Sequence, residues 1–195
     1  FIVSGFIISK IILANIAKKN FSFIDYFNRR IRRLVPGLIL VIFLVSILSW
    51  LYQIPLDLKY YGQSLFSTSI FLSNIYFYVI NNDYFASNTF PLIHLWSLSL
   101  EVQFYIIYPI LILFIYKFNL LKNKLNFIFF LITLVSFFFS INFSHDEELI
   151  FYILPSRFWE FLLGYFLYDL ISKEKFIFLK RKNYPILFIG IIFIF

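Results

Sequence analysis

The chain contains no cysteine and no methionine. Without cysteine there is no disulfide, no metal–thiolate site and no thiol nucleophile. Charge is scarce too. Asp, Glu, Lys and Arg make up 14% of the 195 residues, against about a quarter in soluble domains. No signal peptide, internal repeat or soluble domain is visible, and no metal site or tightly bound cofactor is expected. What fills the space is apolar: 62% of residues are hydrophobic and 24% aromatic. A soluble fold has no interior large enough for that share. The composition therefore points to an all-α polytopic transmembrane helical bundle.

A span needs about 20 apolar residues. By that measure the chain holds about six to seven hydrophobic helices. It starts and stops inside apolar runs, which reads as one transmembrane domain, 1–195, truncated at both ends. Residues 1–17 form the tail of a span interrupted by Lys10. Ser22 and Asp25 have the form of a helix N-cap pair. The mixed aromatic and cationic stretch up to Val35 suits a short interfacial helix, and Pro36-Gly37 marks the start of a separate span reaching about Pro55. Asp57 and Lys59 read as a short loop. Residues 60–82 are uncharged but rich in Ser, Thr, Asn and Gln. Further spans are expected at about 95–116, 126–143 and 149–170, with a last one at the C-terminal end.

The net charge of +7 finds its explanation in where the charges fall. Segments 18–33, 117–124 and 173–182 are rich in Lys and Arg; loops 81–95 and 141–148 carry none. The positive-inside rule makes the first set cytoplasmic and the second external. An odd number of crossings must then separate Arg33 from Asp83, yet two apolar stretches lie between them. The preferred solution lets 36–55 cross and makes 60–82 re-entrant or buried among helices, where non-spanning backbone is tolerated. Two full crossings would instead put His94 and Glu101 on the cytoplasmic side.

Three groups of residues can carry chemistry. His94 and Glu101 lie seven residues apart at the mouth of the 95–116 span, with Ser97 between them and Gln103 on a different helix face. One face could hold both if the helix extends back to 94, but Pro91 and Ser97 suggest a start nearer 97, with His94 in the entry loop just above Glu101. A histidine beside a carboxylate is a general-base arrangement, and an interfacial helix cap with a hydrogen-bonded glutamate is the plainer alternative. Arg29, Arg30, Arg32 and Arg33 are helix neighbours whose guanidinium forks match phosphate geometry. On composition alone, charge that sets orientation and attracts anionic lipid explains them better. Arg157 and Glu160, at i and i+3 inside a span, are placed to neutralise each other.

Five motifs, in order along the chain, resemble the acyltransferase-3 family of integral membrane O-acyltransferases. They are Phe1-Ile2-Val3-Ser4-Gly5-Phe6, the run Phe27 to Pro36 with its four arginines, Ser73-Asn74 with Tyr84-Phe85, Pro91 to Tyr105, and Leu154 to Glu160 followed by Gly164. The resemblance implies transfer of an acyl group, usually acetyl from acyl-CoA, to a sugar hydroxyl of lipopolysaccharide, O-antigen or another envelope polysaccharide at the bacterial inner membrane. It assigns donor binding to Arg29, Arg30, Arg32 and Arg33, and catalytic work to His94 and Glu101. Ser97, Gln103, Arg157 and Glu160 remain cavity or structural residues. Val102 stands where the family signature has a second acid, so only Glu101 can serve there. The family's first helix, with its essential histidine, is expected upstream of residue 1. A transporter or flippase of a lipid-linked sugar or acyl group, with no chemistry of its own, is the competing class.

Overall fold

A computed structural model of the chain describes residues 1–80, 90–117 and 124–172. The expected loop residues Asp83, Tyr84 and Phe85, the centre of the 117–124 loop, and everything from 173 onward lie outside the described residues. All regular structure among the described residues is helical: α1 (Ile2–Ala17), α2 (Phe23–Tyr52), α3 (Pro55–Ser69), α4 (Ser73–Val79), a 3-10 turn at Ile93–Leu95, α5 (Trp96–Lys117), α6 (Leu125–Asn142), α7 (Glu147–Tyr152) and α8 (Leu154–Ser172). Of these, α2, the turn with α5, and α6 are long and apolar enough to cross a membrane.

Hydrogen bonds fix the register. Ser4 meets Glu101 and Ser9 meets Tyr108, so α1 and α5 run parallel. Asn126 donates to Asp169 at one end of α6, while Ser140 reaches the Ser156 carbonyl near the other, so α6 and α8 are antiparallel. Ring contacts set Trp96 beside Phe151, just before α8 begins, and Phe104 over Phe161 further along, which makes α5 parallel to α8. Lys18, Lys19, Lys117 and Lys124 therefore gather at one end of the bundle. His94 and the acidic turn at 145–148 gather at the other. That is the alternation the charge pattern requires.

The interior is built by α1, α5 and α8. Gly5 and Gly164 lie where α1 crosses α8; a Cβ on Gly5 would strike the Phe161 carbonyl, and one on Gly164 the Ile2 carbonyl. Close backbone approach through small residues replaces the hydrophobic effect as the driving force when the solvent is lipid. Phe104 stacks on Phe161 at 4.2 Å and on Tyr108 at 4.8 Å, and Phe129 meets Tyr165 edge-on. These rings are buried. By contrast Ile39, Leu40, Phe43, Leu44 and Leu48 of α2 are exposed, as lipid-facing side chains should be.

Four boundary expectations are corrected. The interfacial helix and the span after Pro36 are one 30-residue helix. Pro36 removes a single N–H, and the remaining backbone groups are best bonded within a continuing helix when no water is at hand. Its start is as read: Ser22 Oγ accepts from the Asp25 N–H. Lys10 leaves α1 unbroken and stays exposed. Asp57 and Lys59 are not a loop but the first turns of α3, which opens with Pro55 at a position that needs no N–H. The 149–170 span divides at Ile153, whose backbone is extended. Ser156 Oγ lies within bonding distance of the freed carbonyls of Ile150 (2.7 Å) and Ile153 (2.6 Å).

Residues 60–80, the described part of the 60–82 stretch, do not form a span. Helix α3 has 15 residues, about 22 Å of axis, short of the hydrocarbon core of about 30 Å. The chain reverses at Phe71, whose φ is 58°. Helix α4 then returns alongside α3, with Tyr76 OH donating to Gln63 Oε1 at 3.1 Å. The hairpin tip is held from α5: Gln103 Nε2 donates to the Phe71 carbonyl at 3.1 Å. This is the re-entrant solution.

Candidate functional site

The signature begins with a 3-10 turn and enters α5 at Trp96. From there α5 presents two polar faces, and they do different things. Gln103 and Asn74 exchange amide hydrogen bonds (2.8 Å for Gln103 Nε2 to Asn74 Oδ1), Asn74 donates to the Tyr152 carbonyl at 3.0 Å, and Ser73 and Ser99 pair at 2.7 Å. These groups are mutually satisfied in the interior. They hold the re-entrant hairpin, and an apolar groove of about 540 Å³ between α5, α6 and the start of α8 runs past them.

Glu101 lies on the other face, toward α1 and α2. Its Oε1 accepts from Ser4 Oγ at 2.8 Å and its Oε2 from Tyr105 OH at 2.9 Å. The carboxylate thus has a hydroxyl on each oxygen. A cavity of about 200 Å³ opens beside it, lined by Ser4, Glu101, Tyr105, Arg30, Arg33 and three aliphatic residues. Arg30 and Arg33 also line a second cavity, of about 290 Å³, that continues toward the α1–α2 turn past Arg29, Tyr26, Asp25, Asn15 and Asn20. Two neighbouring hollows with shared arginine walls therefore run from the basic end of the bundle to Glu101.

The cations are held in an uncommon way. Among the described residues none of Arg29, Arg30, Arg32 and Arg33 is in an ion pair. Arg30 instead lies near two rings, 5.5 Å from the Tyr105 centroid and 5.9 Å from that of Tyr26. Such contacts fix a guanidinium through its face and leave its N–H edge available. Arg29 and Arg33 are exposed and line the hollows; Arg32 is exposed and lines neither.

The structure thus brings Arg30, Arg33 and Glu101 around one cavity and Arg29 into the next. It does not bring His94 there. His94 is exposed at the mouth of α5, its carbonyl accepting from Ser97 Oγ at 3.3 Å, and neither it nor Ser97 lines the cavity. Gln103 belongs to the hairpin anchor. Arg157 Nη1 and Glu160 Oε1 form an ion pair at 2.8 Å on α8, and Arg157 also lies 5.3 Å from the Phe151 ring centroid. Among the described residues no group of three His, Asp or Glu could hold a metal ion. Three residues escaped the sequence reading: Ser4, Tyr26 and Tyr105. The spacing of Tyr105 from Glu101, one helical turn, was the available signal.

A family profile described as an acyltransferase domain matches residues 1–195. The chain belongs to the acyltransferase-3 family. An uncharacterized protein of Haemophilus influenzae is 34% identical over 176 residues, covering 84% of this chain and 70% of that protein. The O-acetyltransferase OatA of Staphylococcus aureus is 27% identical over 117 residues, covering 59% of this chain. The match takes in only 19% of the staphylococcal protein. No solved structure matches the chain. Helices of membrane length and the family together make this an acyltransferase domain of an integral membrane protein.

Proposed function

We propose that the protein transfers an acyl group, acetyl in the first instance, from acyl-CoA to a sugar hydroxyl of an envelope polysaccharide or lipopolysaccharide at the bacterial inner membrane. The observation that carries this reading is the pair of neighbouring hollows whose shared walls are Arg30 and Arg33, one reaching Glu101 and the other the basic end of the bundle. A donor bearing several phosphates arrives from the cytoplasm, and unpaired guanidinium edges are suited to receive them. The sugar oxygen attacks the thioester carbonyl and forms the new C–O bond. Its proton passes to a base, the C–S bond breaks, and coenzyme A leaves as thiolate. Cations at the cavity wall favour the charge that develops on the carbonyl oxygen. Glu101, pinned by Ser4 and Tyr105, orients groups around the reacting centre. The name of the staphylococcal relative, an O-acetyltransferase, supports the acetyl choice.

The test uses radiolabelled acetyl-CoA and membranes carrying the whole protein. Label is expected in envelope polysaccharide with the wild type and at background with Arg30→Ala. No label above a gene-deleted control would reject acyl transfer. Movement of an unmodified lipid-linked sugar without labelling would establish the transporter class instead.

A further inference from the structure

We propose that Tyr105 is a positioning residue that couples the donor-binding arginine to Glu101. This rests on the acyl-transfer reading above and adds a role that neither the charge pattern nor the composition singled out.

Tyr105 is buried, and two of its parts touch two different site groups. Its ring lies 5.5 Å from the Arg30 guanidinium carbon. Its hydroxyl donates to Glu101 Oε2 at 2.9 Å. Because the two residues sit one turn apart on α5, the bond is made without bending the helix. The backbone that carries the ring is tied to α2: Tyr26 OH donates to the Tyr105 main-chain carbonyl at 3.2 Å, while the Tyr26 ring lies 5.9 Å from the same guanidinium. A single side chain therefore sets both the place of the cation and the direction of the carboxylate. A carboxylate partner for Arg30 would have occupied the fork that a phosphate needs. Ring faces hold the cation and leave the fork open.

The two functions separate by substitution in the whole protein. Tyr105→Phe keeps the ring and removes the hydroxyl. Binding of radiolabelled acetyl-CoA to the purified protein is expected within about twofold of wild type, with label transfer to polysaccharide down about tenfold. Tyr105→Leu removes ring and hydroxyl, and binding is expected to weaken about tenfold as well. Tyr105→Trp, which restores a ring without the hydroxyl, should recover binding but not transfer. Where the leucine variant gives no folded protein, the phenylalanine and tryptophan variants carry the test. Transfer by Tyr105→Phe at the wild-type rate would overturn the proposal while leaving acyl transfer standing. Equal losses of binding and transfer in all three, tracking a fall in thermal midpoint, would reduce Tyr105 to packing and also overturn it. Absence of transfer by the wild type overturns both readings.

Discussion

Among the described residues arginine and glutamate are brought together in two places, and the two pairs are built in opposite ways. On α8, Arg157 and Glu160 face each other at 2.8 Å, one turn apart, and each is the other's counter-ion. Beside α1, α2 and α5, Arg30 and Glu101 line one cavity yet form no ion pair: rings hold the arginine and hydroxyls hold the glutamate. The first arrangement neutralises charge within one helix, although the buried Arg157 Nε is left without a hydrogen-bond partner. The second leaves both groups with capacity for a ligand. The surroundings differ in the same sense. The α1–α8 crossing is closed to the point of backbone contact at Gly5 and Gly164, whereas α2 stands off from α1 and α5 with hollows between. Rigid packing on one side of α1 supports an open polar site on the other.

This contrast can be broken from either side. The largest effect belongs to the crossing. Gly164→Val forces a branched side chain into the Ile2 and Phe6 backbone and should abolish folded protein, seen as loss of a monodisperse peak in detergent. Next, Arg30→Ala should lower label transfer from acetyl-CoA about 100-fold with normal membrane insertion, since it removes a preorganised cation. Insertion and transfer falling together would make Arg30 structural. Glu101→Gln should reduce transfer about tenfold, because an amide cannot accept from both Ser4 and Tyr105 through two equivalent oxygens. Smallest is Arg157→Ala, expected to remove about 1 kcal/mol from an incompletely buried pair, read as a few degrees in thermal midpoint. The double variant with Glu160→Ala should be milder than the single one, since no charge is then left alone. A large loss of transfer in that double variant, with stability intact, would erase the distinction between the two pairs.

Much of the fold was readable in one dimension because lipid imposes long apolar runs, and loop charge reports orientation. Even the non-spanning character of residues 60–80, seen as the α3–α4 hairpin, followed from counting crossings against charge. What could not be read was local. Proline at 36 looked like a boundary and is interior, since a helix in lipid tolerates one missing N–H better than an open end. The break at Ile153 looked like span and is a joint, because Ser156 stands ready to take its carbonyls. At the site, Arg30, Arg33 and Glu101 were named from sequence and share a cavity. Tyr105, Tyr26 and Ser4 were not, because a tyrosine in a helix with abundant aromatics carries no sign of which ring faces a cation. The spacing of His94 and Glu101 allows one face only if the helix reaches back to 94, whereas Pro91 and Ser97 put its start nearer 97; the 3-10 turn at 93–95 accordingly leaves His94 at the mouth of α5.

The central claim is that the arginines along α2, and not the one on α8, receive the donor. Equilibrium binding of radiolabelled acetyl-CoA to the purified whole protein tests it directly, comparing wild type, Arg30→Ala and Arg157→Ala. The account predicts at least about tenfold weaker binding for Arg30→Ala and wild-type binding for Arg157→Ala. Equal affinity in all three, or loss in Arg157→Ala alone, would contradict it.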